Sequence, residues 1–295
     1  MPATQFICPD GQKTPIEACL SDCRMGTRCM SLPTLRCIAY DRPLRDEVKV
    51  SASQAGTGVR YMYLREKHNF AVDPMSRVYA LFGTGTHLKL EAKTEGEMLS
   101  EVFLESKWTC GTLDLYDGPS RTLIDYKTWG SYKCAKSIGL VEHKIPDPTG
   151  AVYQRNGRGY KKGDPKMIKI WEVDPDQVDM WETEIQLNAY RIMLEEINFP
   201  VDHMFVEAIV RDGNTFTAKS RGVDRPLYHI PVAKIEDIDV MDFFKMKTLA
   251  LRDALATDTP PPYCNETERW DGRKCNGYCD VAEICNPPWL EEKAA

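Results

Sequence analysis

Asp114, Asp125 and Lys127 are the residues of this chain whose types and spacing best suit metal-assisted phosphodiester chemistry. Asp125-Tyr126-Lys127 falls in a run of strand character, Arg121 to Thr128, and residues two apart on a strand share a face. Asp114 lies near the end of the preceding run, Trp108 to Tyr116, across the turn former Asp117-Gly118-Pro119. Two carboxylates converging there are hard oxygen ligands for Mg2+ or Mn2+. A neighbouring ammonium positions or polarises an attacking water while the metal stabilises charge on the phosphate. An Asp-x-Lys pair alone is common on a wet sheet face. Here the apolar Leu123-Ile124 precedes Asp125, which places the acid at the edge of a buried strand, where an unpaired charge is costly.

Further side chains can join that centre. His87 offers an imidazole, a good transition-metal donor, with Glu91 one helical turn later as its support. Gln186 and Tyr190 are four apart and share a helix face. The phosphate-binding G-x-x-x-x-G-K-[ST] loop, the H-E-x-x-H zinc helix and the G-x-S-x-G nucleophile elbow are all missing from the sequence.

Eight of the eleven cysteines form a repeat of spacing. Cys8, Cys19, Cys23 and Cys29 read C-x10-C-x3-C-x5-C, and Cys264, Cys275, Cys279 and Cys285 read the same. Four thiolates within 22 residues can close a Zn2+ site or hold a [4Fe–4S] cluster, and ligands from the two ends can also meet in one centre. Each quartet opens beside turn formers, Pro9-Asp10-Gly11 and Asp271-Gly272. Cys37, Cys110 and Cys134 fall outside the repeat.

The elements that must position these residues follow from pattern. Asp73 to Glu91 reads as a helix that turns Val78, Leu81 and Phe82 inward, weakened at Gly83 and Gly85. Glu97 to Glu105 reads as a second helical stretch and Glu182 to Ile197 as an amphipathic helix. His203 to Arg211 and Pro226 to Val232 read as strands, and Ile235 to Ala256 as a last long helix ending at the stiff Thr259-Pro260-Pro261-Pro262 joint. The expected architecture is α/β, a central mixed sheet flanked by helices. Three regions result: a cysteine-rich segment 1–37, a catalytic body 38–257 and a cysteine-rich segment 258–295.

Length and composition, 295 residues with 42% apolar and 28% charged, are those of a globular protein with a real core. No apolar run is long enough to span a membrane, and the N-terminus lacks the features of a secretion signal, so a cytoplasmic protein is expected. A net charge of −6 argues against a protein that coats nucleic acid, but a binding face need only be locally basic. Tyr153 to Lys169 is such a stretch, with Arg155, Arg158, Lys161 and Lys162 as candidate DNA contacts; a solvated surface loop is the plainer alternative.

Taken in order, Gly83-Thr-Gly-Thr-His87, Gly111-Thr-Leu-Asp114, Leu123-Ile-Asp125-Tyr-Lys127-Thr128 and Gln186-Leu-Asn-Ala-Tyr190 resemble the motifs of RecB-like nucleases of the PD-(D/E)XK (restriction-endonuclease-like) superfamily. That group includes CRISPR-adaptation nucleases and phage exonucleases. The resemblance implies a DNA exonuclease or end-processing nuclease. His87, Asp114 and Asp125 would bind Mg2+ or Mn2+, Lys127 would be catalytic, and Gln186 and Tyr190 would contact DNA or brace Lys127. It also implies an iron–sulfur tail and a recombination or repair partner. The iron–sulfur members usually combine one early cysteine with three late ones ending C-x2-C-x5-C, whereas this chain carries a full quartet at each end. Ile138 to Val178 is long for the connection it makes and reads as an insertion. The competing possibilities are a non-catalytic nucleic-acid-binding protein built on metal modules and an electron-transfer protein. Neither has a use for the His87, Asp114, Asp125 and Lys127 set.

Overall fold

A computed structural model describes residues 3–39 and 48–290. The chain is mixed α/β and divides into two compact units. The first comprises residues 1–123, 182–202 and 233–295, and the second residues 124–181 and 203–232. No helix among the described residues is long and apolar enough to cross a membrane.

In the first unit, Gln5–Ile7 pairs antiparallel with Lys13–Pro15 and parallel with Ala71–Val72. A second mixed sheet sets Thr109–Thr112 between Val50–Ser51, parallel, and Phe103–Glu105, antiparallel. The helix Asp237–Thr257 buries Val240, Phe244, Thr248, Leu251 and Ala254, a stripe at helical spacing. Thr248 is fully buried yet satisfied: its hydroxyl donates to Trp108 O (2.8 Å) and accepts from Val50 N–H (3.1 Å). The helix Trp181–Glu196 is fixed by Arg191, 4% exposed. Its guanidinium donates to Asn188, Glu195, Asp237 and the Ile235 carbonyl, so the charge is buried with every neighbour an acceptor.

Three expectations from local pattern give way here. Asp73 to Glu91 forms two helices, Pro74–Arg77 and Ala80–Glu91, and the second buries no residue. Phe82, expected inside, is 56% exposed. Two glycines weaken the helix and its apolar residues do not line one side. Glu97 to Glu105 is not helical: Met98–Ser100 and Phe103–Glu105 are strands. They pair with residues that come after them, and such non-local pairing overrides the helix propensity of Glu, Met and Leu. Trp108 to Tyr116 is broken at Leu113–Asp114 into Thr109–Thr112 and Leu115–Asp117.

In the second unit, the strand Thr122–Trp129 from Ile124 onward, His203–Val210 and Leu227–Pro231 neighbour one another in that order, the last two antiparallel. Residues 138–178, expected as an insertion, form a hairpin in which Leu140–Pro146 pairs with Met167–Val173 over seven positions. The helix Ser131–Ser137 begins on Asp212, whose carboxylate accepts from Ser131 N–H (2.7 Å) and Ser131 Oγ–H (2.6 Å).

Candidate active site

One antiparallel ladder builds the acidic centre of the first unit. Ser100 pairs with Leu115 and Phe103 with Thr112. Between them Glu101 N–H donates to Asp114 O (3.3 Å) and Leu113 N–H to Val102 O (3.0 Å), so Glu101 stands opposite Asp114. Ser100 Oγ also donates to Asp114 O (3.0 Å). Glu101 adopts φ 53°, left-handed backbone that a non-glycine residue adopts only at a cost. That kink marks the switch from the Phe103–Glu105 pairing to the Met98–Ser100 pairing.

The helix Ala80–Glu91 brings His87 to this pair. Its Nδ1 lies 3.1 Å from Glu101 Oε1 and 3.5 Å from Asp114 Oδ1. One donor atom from each of the three residues falls within 4.8 Å of the others. Two carboxylates directly opposed in the gap between paired strands repel, and a cation between them turns that cost into a gain. The set of one imidazole and two carboxylates fits a divalent ion of the Mn2+ or Mg2+ kind. The supporting acid expected at Glu91 is instead Glu101: the group assembled around His87 is His87, Glu101 and Asp114. Sequence pattern missed Glu101 because its segment reads as helix. Its place opposite Asp114 follows from the pairing on either side of it, and Lys107-Trp108, where the chain bends back, carries no turn signature in the sequence.

Gln186 and Tyr190 lie in the stretch Ile185–Leu194 of the Trp181–Glu196 helix, which is buried on every side. The Tyr190 ring packs on Gly111, three residues before Asp114; a Cβ there would sit 2.8 Å from Tyr190 Cε1 and Oη. Only glycine admits that approach.

Asp125 and Lys127 belong to the second unit. They share a face of the Thr122–Trp129 strand and form an ion pair, Lys127 Nζ to Asp125 Oδ2, of 2.6 Å. The Asp125 side chain is 2% exposed and that of Lys127 24%.

The hairpin's far end carries the basic cluster. Beyond Pro146 and Met167, the chain is held by the Val152–Pro165 and Gly157–Tyr160 bridges and by Tyr153 stacked on Tyr160, ring centroids 3.7 Å apart. Arg155, Arg158, Lys161 and Lys162 are exposed there, and among the described residues none of the four forms an ion pair. Backbone bonds from Lys161 N–H to Asp164 (2.6 Å) and from Lys162 N–H to Asn156 (2.8 Å) order this tip.

Both cysteine quartets lie in the first unit. At the C-terminal one, Arg60 Nε donates to Cys285 Sγ (3.2 Å), and Cys264 Sγ packs so close to Gly58 that a Cβ would come within 2.4 Å. Burial pushes the Cys279 thiol up to about 11 and raises Cys264 too. Lys247 stands nearby with its ammonium pushed down by burial and held by Glu268 at 3.4 Å. Cys37 is exposed on the helix Leu32–Ala39, whereas Cys110 and Cys134 are buried core thiols.

No protein-family model and no curated protein matches the chain. Among solved structures, a phage-related exonuclease from Haemophilus somnus 129PT is similar over 72% of this chain and 96% of that one, at 11% identity and a TM-score of 0.38. At that distance no residue role is transferred.

Proposed function

We propose that the chain is a divalent-metal-dependent deoxyribonuclease of PD-(D/E)XK architecture, an exonuclease or end-processing enzyme, with its nuclease domain at 38–257 between cysteine-rich segments 1–37 and 258–295. The observation that carries this is the meeting of His87 Nδ1 with the opposed carboxylates of Glu101 and Asp114. Two carboxylates opposed beside an imidazole nitrogen are an arrangement whose repulsion a bound divalent ion would offset.

His87, Glu101 and Asp114 would hold Mn2+ or Mg2+, with Asp125 as a further carboxylate assigned from the ordered motifs. When bound, the ion supplies Lewis-acid stabilisation of charge on the scissile phosphate. Lys127 keeps an ammonium beside Asp125, a group that can orient the attacking water and offset charge on the phosphate. Tyr190, packed on Gly111, would keep the Asp114 segment in place, and Gln186 would contact DNA or brace Lys127. The tip with Arg155, Arg158, Lys161 and Lys162 would grip the DNA backbone through phosphate contacts. The C-terminal quartet would hold a [4Fe–4S] cluster or Zn2+. A cytoplasmic setting and a recombination or repair partner complete the proposal. A protein that only binds nucleic acid would need the basic tip but not the carboxylate set.

The test is cleavage of end-labelled single- and double-stranded DNA with Mn2+, Mg2+, Ca2+ or EDTA. Mn2+ should match or exceed Mg2+, because imidazole is a softer donor than oxygen, and Ca2+ should support little cutting. Equal activity in EDTA, or none with any ion, sinks the proposal.

A further inference from the structure

The first 29 residues hold a thiol cluster that the nuclease reaction does not use. Two tight turns begin on cysteines: Gly11 N–H donates to Cys8 O and Gly26 N–H to Cys23 O, both at 2.8 Å. Gly11 and Gly26 have φ of 80° and 74°, so each turn needs its glycine. The helix Ile16–Ser21 carries Cys19 between these turns. Arg28 ties the last arm back: its Nη2 donates to Leu20 O (3.3 Å) and Ser21 O (3.0 Å), at the end of the helix that holds Cys19. The segment has little core of its own, since Cys29 is exposed and few of its residues are buried.

Polar atoms crowd this cluster. Cys8 Sγ lies 3.2 Å from Thr14 Oγ1, which also accepts from Arg24 Nε at 3.2 Å. Arg28 Nε is buried and makes no hydrogen bond among the described residues, a costly state for a cationic donor unless an anionic acceptor faces it. A four-thiolate centre, with its net negative charge, is such an acceptor.

Spacing bears on the choice of metal. Among the described residues no three of these sulfurs lie within 4.8 Å of one another. Four sulfurs at 2.3 Å from one tetrahedral zinc would stand ~3.8 Å apart. A cubane cluster, with a separate iron for each thiolate, holds them farther apart.

We propose that Cys8, Cys19, Cys23 and Cys29 hold a [4Fe–4S] cluster of their own, distinct from the centre at the C-terminal quartet. This does not depend on the nuclease proposal. The cluster takes up two ferrous and two ferric ions with four sulfides and releases the four thiol protons, with no net redox change, and it orders a segment too small to fold by itself.

The experiment uses anaerobically purified full-length protein. Iron, sulfide and zinc are measured per chain for wild type, Cys23→Ser and Cys275→Ser. Cys23→Ser should lose about four irons with their share of absorbance near ~400 nm, and Cys275→Ser should keep those four. A second measurement needs no variant. In native protein, peptide-resolved alkylation should modify the exposed Cys37 but spare Cys29, which is also exposed, and removing the metal should make Cys8, Cys19, Cys23 and Cys29 reactive as a set. Zinc without iron, all metal lost in both variants, or Cys29 alkylated as fast as Cys37 would each overturn the proposal.

Discussion

Glu101 faces Asp114 across an antiparallel ladder, and one nitrogen of His87 lies within 3.5 Å of both carboxylates. Directly opposed like charges cost about 0.2–1 kcal/mol in a sheet. Glu101→Gln should therefore raise stability slightly in EDTA, by no more than about 1 kcal/mol, while cleavage falls at least tenfold. Mn2+ at a hundredfold excess over its Kd should stabilise the wild type by about 2.7 kcal/mol and the variant far less. Thermal melts with and without Mn2+ check this; an equal Mn2+ shift in both proteins removes Glu101 from the site.

The Asp125–Lys127 pair leads to a different pattern. Asp125 is almost fully buried, so removing the ammonium 2.6 Å away strips a buried carboxylate of its counter-charge. Lys127→Ala should cost up to about 3 kcal/mol as well as activity. The double variant Asp125→Asn with Lys127→Met should recover most of the stability and none of the cleavage. Urea midpoints and nuclease rates on the same preparations test it. Wild-type cleavage in either single variant would show that the pair is only structural.

Gly111 and Tyr190 offer a test of positioning. Gly111→Ala places a methyl 2.8 Å from the Tyr190 ring, and overpacking of that kind costs about 1–3 kcal/mol. Tyr190→Leu should relieve the clash, so the double variant should be more stable than Gly111→Ala alone. Simple additivity in a double-mutant cycle would mean that the two do not touch.

Much of this was legible in the sequence where the pattern was local. The helices Trp181–Glu196 and Asp237–Thr257 and the strands His203–Val210 and Leu227–Pro231 fall within a residue or two of their patterns. Asp125 and Lys127 share a strand face because a period of two allows nothing else. Type and order in the sequence single out His87 and Asp114, and their side chains lie 3.5 Å apart. Glu101 was hidden because Glu97 to Glu105 is rich in helix formers, and only its pairing with a later segment makes it strand. The outward face of Ala80–Glu91 was hidden for the same reason: nothing in a short apolar run says whether a partner covers it.

The basic hairpin tip should act on grip rather than chemistry. Replacing Arg155, Arg158, Lys161 and Lys162 together by Ala should weaken DNA binding and flatten its salt dependence by up to about four counterions. The single-turnover rate at saturating DNA should change little. An unchanged salt slope would leave the tip as an ordinary solvated loop.

The last expectation concerns acid. Burial tends to raise the Asp212 carboxyl, but the Ser131 hydroxyl and backbone N–H, with Arg221 3.9 Å away, outweigh it and hold its pKa below the ordinary carboxylate value. A depressed folded pKa means that the unfolded chain takes up the proton first. The stabilisation is thus complete above the unfolded value of about 3.9 and is lost as pH falls through the folded pKa. Asp212→Asn should therefore be less stable than wild type at pH 7 by about 1–2 kcal/mol, the worth of charge-assisted bonds at the start of the helix Ser131–Ser137. Between pH 4 and lower values that difference should shrink toward zero, because wild-type Asp212 is itself becoming neutral. Urea unfolding of both proteins at pH 7, 5, 4 and 3 measures it, and a difference that stays constant across the series would mean that the charge on Asp212 contributes nothing.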